Sequence, residues 1–96
     1  MNIFVDIDGT ICHSVEGSYD SASPIPHHID KINALYDEGH RITYYTARGQ
    51  RSNKDYTELT RLQLNSWGCK FHELIMNHKP AYDLMICDKT KRIEEL

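Results

Sequence analysis

Ile3-Phe4-Val5-Asp6-Ile7-Asp8-Gly9-Thr10 is the stretch on which the reading of this chain turns. From Ile3 to Ile7 it is nearly all apolar, the pattern of a strand buried on both faces of a parallel sheet, and Gly9-Thr10 ends it. A carboxylate at the end of such a strand, Asp6, is costly to desolvate without a compensating partner. Asp8 is two residues on, so in extended backbone the two acids share a side. Like charges held close do not both stay ionised without a cation or a shared proton. Hard carboxylate oxygens suit Mg²⁺, which takes few protein ligands and keeps waters and phosphate oxygens. The plainer alternative is that both acids only end a strand and cap a turn.

Working outward, residues 11–24 contain Gly17, Asp20 and several serines and read as a loop. Pro24 and Pro26 suit the start of a helix, whose apolar positions are Ile29, Ile32, Leu35 and Tyr36, with Gly39 as its stop. Arg41 to Thr46 is β-branched and aromatic and predicts a second strand. Ser52 and Asp55 have capping-box spacing, and Tyr56, Leu59, Leu62 and Trp67 give the next helix an apolar face that ends at Gly68. Phe71 to Met76 predicts a third strand, Leu84 to Cys87 a short fourth, and Lys91 to Leu96 the start of a last helix. Alternating strands and helices predict an α/β fold with right-handed crossovers. The expected architecture is a Rossmann-like core, about four parallel strands sandwiched by helices, with residues 1–96 as one domain.

Four features then fall at carboxyl ends of strands, the edge where open α/β sheets bind ligands. They are Asp6 to Thr10, Thr46-Ala47-Arg48-Gly49, Lys79-Pro80 and Asp88. Thr46 offers a hydroxyl and a backbone N–H to a phosphate oxygen. Lys79 offers an ammonium that neutralises phosphate or orders the carboxylates. Asp88 repeats after Leu84 to Cys87 the placement of Asp6. Singly, each has an ordinary alternative: a strand threonine, a solvated lysine, a turn acid.

In order and in strand context, these motifs resemble those of the haloacid-dehalogenase (HAD) superfamily of phosphatases, over the chain from Ile3 to about Lys89. The resemblance implies a hydrolase of phosphoric monoesters. It implies Asp6 as the nucleophile that forms an aspartyl-phosphate, and Asp8 as general acid and then base. Thr46 is implied to bind the transferring phosphoryl group and Lys79 to stabilise its charge. Mg²⁺ is implied to be held by Asp6, Asp88 and the backbone carbonyl of Asp8. Thr10, Ala47, Arg48 and Gly49 are expected beside Thr46 and Lys79 in binding substrate, with a surface position as the alternative for Arg48. The sequence departs from the family where Cys87 precedes Asp88 and where Arg92 stands in place of a further acid, which predicts weaker metal binding.

Cap domains in this family are inserted after the first or third strand. Here those connections, residues 11–24 and Asn77-His78, are too short to fold as domains. A capless site is expected, open to a large substrate or covered by another copy in a homo-oligomer. The TARG and late DK flavour resembles small capsule and surface-polysaccharide phosphatases, which makes a sugar phosphate the leading substrate class. Alternatives are a phosphotransferase or nucleotidase on the same core, a phospho-ligand binding module without turnover, and a receiver domain. Receivers, however, lack a second acid two residues after the phosphorylated one.

A net charge of −3 argues against nucleic acid, whose phosphates attract basic faces. No apolar run reaches the roughly 18 residues of a membrane span, and the first residues lack the layout of a signal peptide. Cys12, Cys69 and Cys87, widely spaced and odd in number, read as free thiols of a cytoplasmic protein. His13 is placed near the site opening or in an exposed loop, while His27, His28 and His72 lack metal-ligand spacing.

Overall fold

The computed structural model describes residues 1–15, 17–49 and 54–76, and the backbone of residues 84–86. Its central sheet contains β1 (Asn2–Asp6), β4 (Arg41–Thr46), β5 (Glu73–Met76) and β6 (Leu84–Ile86). Their order is β5-β4-β1-β6, and every pairing is parallel. β1 lies between β4 and β6, with Asp6 opposite Tyr45 and Val5 opposite Ile86. This two-sided pairing is what its apolar run predicts: Ile3 and Val5 are buried, as is Ile7 just beyond.

Two helices, α1 (Pro26–Asp37) and α2 (Thr57–Ser66), connect β1 to β4 and β4 to β5. Pro26 occupies the first turn of α1, where a missing N–H costs nothing. The first N–H of α2, on Thr57, donates to the Asp55 carboxylate at 2.9 Å, so Asp55 acts at that helix start; its expected partner Ser52 lies outside the described residues. Ile29 and Ile32 of α1 and Leu64 of α2 share one core with Ile3, Val5, Ile42 and Tyr44 of the sheet. Asn33 clips the helices together, donating to the Gly68 carbonyl (2.9 Å) and accepting from the Lys70 N–H (2.8 Å).

Three expectations need correction. Residues 11–24 are not simply loop: β2 (Cys12–His13) pairs antiparallel with β3 (Ser23–Pro24), and Tyr19–Ser21 forms a 3-10 turn between them. Two-residue strands carry no hydrophobic period, so nothing in the sequence marked them. The face of α2 turned to the core is Thr60, Gln63 and Leu64, while Leu62 is 60% exposed. Leu62 is two residues from both Thr60 and Leu64, about 200° around the helix. The first and third strands also run from Asn2 and from Glu73, rather than from Ile3 and Phe71. The expected last helix, 91–96, lies outside the described residues. Among those residues, no helix is long and apolar enough to cross a membrane.

Candidate active site

Asp6 is the last residue of β1 and Thr46 the last of the adjacent β4, so both stand at the same edge of the sheet. Asp6 is half-buried. After Ile7 the chain turns rather than extending, because the N–H groups of Thr10 and Ile11 both donate to the Ile7 carbonyl (3.2 and 3.1 Å). Gly9, at φ 82°, accepts the left-handed backbone this turn needs. The Gly9 N–H closes on the Cys12 carbonyl at 2.9 Å. The turn is then tied to α1 by His28, whose Nδ1 is 2.7 Å from the Thr10 carbonyl, and by the Ile25 N–H to Ile11 carbonyl bond of 2.8 Å.

Asp8 emerges from this turn into a shell of donors. Its Oδ1 accepts from Ser14 Oγ (2.7 Å) and Arg48 Nη2 (2.8 Å), and its Oδ2 from Arg48 Nε (3.0 Å) and Thr46 Oγ1 (3.1 Å). The Cys12 thiol points at Oδ1 from 3.6 Å. Burial on its own raises the Asp8 carboxyl pKa, but the hydrogen bonds from Arg48, Ser14 and Thr46 and the charge of Arg48 overcome it and hold the group below the usual carboxylate value. Burial and the Asp8 charge push the Cys12 thiol the other way, to about 12.

Arg48 is fully enclosed, with 1% of its surface exposed. Beyond Asp8, its Nη1 donates to Thr60 Oγ1 (3.1 Å) and Gln63 Oε1 (2.6 Å), and its Nη2 approaches Cys12 Sγ at 3.9 Å. The Tyr19 ring lies across the guanidinium, 4.9 Å from ring centre to Cζ. Gln63 Nε2 in turn donates to the Tyr19 carbonyl at 2.6 Å, and Tyr19 meets Tyr56 edge to face at 5.0 Å. Thr46 Oγ1 also accepts the backbone N–H of Arg48 at 3.2 Å, which fixes the start of the loop after β4.

The structure thus brings Asp8, Thr46 and Arg48 into direct contact, with Asp6 at the adjacent strand end. Ala47 is exposed on the same loop. Thr10 is buried, and its hydroxyl finds no hydrogen-bond partner among the described residues. Gly49 is buried too, at φ 87°, and packs against the Lys54 carbonyl and the Tyr56 ring. His13 is exposed. Lys79 and Asp88 lie outside the described residues. The sequence reading passed over Ser14, Thr60, Gln63 and Tyr19. The signal available for two of them was polarity on the buried stripe of α2, because a buried hydroxyl or amide requires a partner.

Among the described residues no group of three or more His, Cys, Asp or Glu side chains is gathered to hold a metal. The Asp8 carboxylate is occupied by Arg48, Thr46 and Ser14. The Asp6 carboxylate at the adjacent strand end is a hard oxygen donor, the kind that Mg²⁺ takes.

No protein-family model and no curated protein matches the chain. Solved structures do. A structural-genomics target from Vibrio cholerae superposes with a TM-score of 0.73 over 81% of this chain and 70% of its own, at 20% identity. The D,D-heptose 1,7-bisphosphate phosphatase of B. bronchiseptica, solved with magnesium and phosphate, superposes with a TM-score of 0.58 at 21% identity. The match covers 82% of this chain and 51% of that enzyme, so the chain spans about half its length. The likeness is one of fold: the small α/β core described above, with its parallel sheet, is shared with these two solved structures.

Proposed function

We propose that the chain is a Mg²⁺-dependent phosphomonoester hydrolase acting through an aspartyl-phosphate on Asp6. The observation that supports this best is the meeting of Asp6 and the Asp8–Thr46 pair at the carboxyl edge of β1 and β4. That edge is where ligands of open α/β sheets bind.

On this reading an Asp6 oxygen attacks phosphorus, and the bond from phosphorus to the leaving oxygen breaks. The leaving oxygen takes a proton from the Asp8 carboxyl. Asp8, now a carboxylate, removes a proton from water, whose oxygen attacks the same phosphorus and releases inorganic phosphate and free Asp6. When substrate binds, the Thr46 hydroxyl turns its one proton from Asp8 to a phosphoryl oxygen, and Lys79 balances the phosphoryl charge. Asp6, the Asp8 carbonyl and Asp88 would hold the Mg²⁺, which would supply positive charge to screen the anionic nucleophile from the anionic phosphate. The donors around Asp8 favour its carboxylate form, the one the water step requires. Leaving groups that depart without a proton, such as p-nitrophenolate, are therefore the readiest substrates.

A sugar phosphate is the substrate class we favour. It is supported by the TARG stretch, and by the heptose bisphosphate phosphatase among the fold neighbours. The described residues between β1 and α1 hold the β2–β3 pair and one 3-10 turn, which supports a capless, open site. Phosphate release from p-nitrophenyl phosphate and a panel of sugar phosphates and nucleotides, with Mg²⁺ and with EDTA, tests the proposal. Metal-dependent multiple turnover supports it, and the ranking of the panel reads the substrate class. Folded, metal-supplied protein that turns over nothing contradicts it.

A further inference from the structure

A guanidinium has five N–H donors and no acceptor. In Arg48 each of the five has an acceptor inside the protein. Nε–H and one Nη2–H go to the two Asp8 oxygens, the second Nη2–H faces Cys12 Sγ, and the two on Nη1 go to Thr60 and Gln63. The Tyr19 ring covers the plane. No donor is left over for a substrate phosphate, and the side chain has no exposed surface. An arginine that binds substrate keeps part of its fork open; this one has both edges closed by the protein.

Its partners come from three separate parts of the chain. Asp8 and Cys12 belong to the turn after β1 and the start of β2 that it leads into, Thr60 and Gln63 to the first two turns of α2, and Tyr19 to the 3-10 turn. Arg48 itself follows β4. Asp8 sits on a turn outside the regular sheet, so strand pairing does not set its carboxylate direction. The planar two-point contact with Arg48 does, because a bidentate guanidinium–carboxylate pair fixes orientation as well as distance. Thr60 and Gln63 fix the guanidinium in turn from the rigid side of a helix.

We infer that Arg48 is a positioning residue: buried and fully hydrogen-bonded, it orients the Asp8 carboxylate from α2 and does not touch substrate. The inference rests on the hydrolase reading of the same site and replaces the expectation that Arg48 binds substrate. Misplacing a catalytic group by about 1 Å costs on the order of 100-fold in rate. Loss of an oriented group lowers kcat, whereas loss of a substrate ligand raises KM.

Steady-state kinetics of p-nitrophenyl phosphate hydrolysis with saturating Mg²⁺ separates these cases. Arg48→Lys keeps the charge and loses the fork. It is expected to lower kcat about 100-fold with KM within about threefold of wild type, in protein whose circular dichroism is unchanged. Thr60→Val removes one Nη1 acceptor and is expected to lower kcat several-fold at constant KM; Thr60→Ser keeps the hydroxyl and is expected to restore it. A raised KM at unchanged kcat in Arg48→Lys overturns the inference, as does unchanged kcat in the folded variant. If Arg48→Lys does not fold, equal kcat in the Val and Ser variants of Thr60 overturns it. Inactive wild-type protein overturns the hydrolase reading and this inference with it, whereas active wild type with unaffected variants overturns the inference alone.

Discussion

Arg48 Nη2 lies 2.8 Å from Asp8 Oδ1 and Arg48 Nε 3.0 Å from Asp8 Oδ2, a two-point ion pair across 40 residues of sequence whose arginine side chain is wholly buried. Through it the turn that follows the first strand is fastened to α2. Breaking such a pair from one side leaves an uncompensated charge in the interior. Asp8→Ala strands the buried guanidinium and is expected to destabilise the protein by about 3 kcal/mol in urea unfolding. Replacing both members with apolar residues, Asp8→Leu with Arg48→Met, is expected to recover a large part of that loss. A single variant as stable as wild type contradicts the ion pair.

The pair also sets an acid limit on stability. Asp8 has a lowered pKa in the folded protein, so its contribution is fully present above the unfolded carboxyl value of about 4. It is lost as pH falls from there through the lower folded value. Unfolding free energy of metal-free protein, followed from about pH 6 to pH 2, is expected to drop more steeply in wild type than in Asp8→Asn. Parallel curves contradict the assignment.

Gly49 and Gly17 provide a matched comparison. Both have left-handed backbone, at φ 87° and 83°. A Cβ at Gly17 meets nothing within 4 Å, whereas one at Gly49 collides with the Lys54 carbonyl. Gly17→Ala carries only the backbone cost, about 1 kcal/mol. Gly49→Ala adds a clash with main chain and is expected to lose upwards of about 3 kcal/mol, with the loop after β4 displaced. Thermal denaturation of the two variants reads the difference, and equal losses contradict the packing at Gly49.

Cys12 is buried and its thiol is pushed up to about 12, so the reactive thiolate is scarce. Cys69 is half-buried, its thiol pushed up to about 11 by burial. Alkylation by iodoacetamide at about pH 8, mapped by mass spectrometry, is expected to spare Cys12 in native protein and modify it fully in urea. Equal rates in the two conditions contradict its burial.

How much of this was readable beforehand follows from the range of the interactions. β1 and β4 announce themselves locally, as unbroken apolar or β-branched runs, and Thr46 falls at a strand end for that reason alone. The β2–β3 pair is too short to show any period. Arg48 could be placed on the loop after β4, but its enclosure depends on Thr60 and Gln63 reaching it from α2, a long-range fact that spacing within the loop does not contain. The one local trace of it is two polar residues on the helix stripe that packs inward, where a hydroxyl and an amide require partners. Reading the stripe through Leu62 instead rotated the helix away from that clue.

Acid quench of the protein during turnover of a phosphate-labelled monoester with Mg²⁺, followed by phosphopeptide mapping, tests the central claim most directly. The account predicts label on the peptide that contains Asp6, at that residue, and none in Asp6→Asn. Sustained turnover with no phosphorylated Asp6, or with label on another residue, would contradict it.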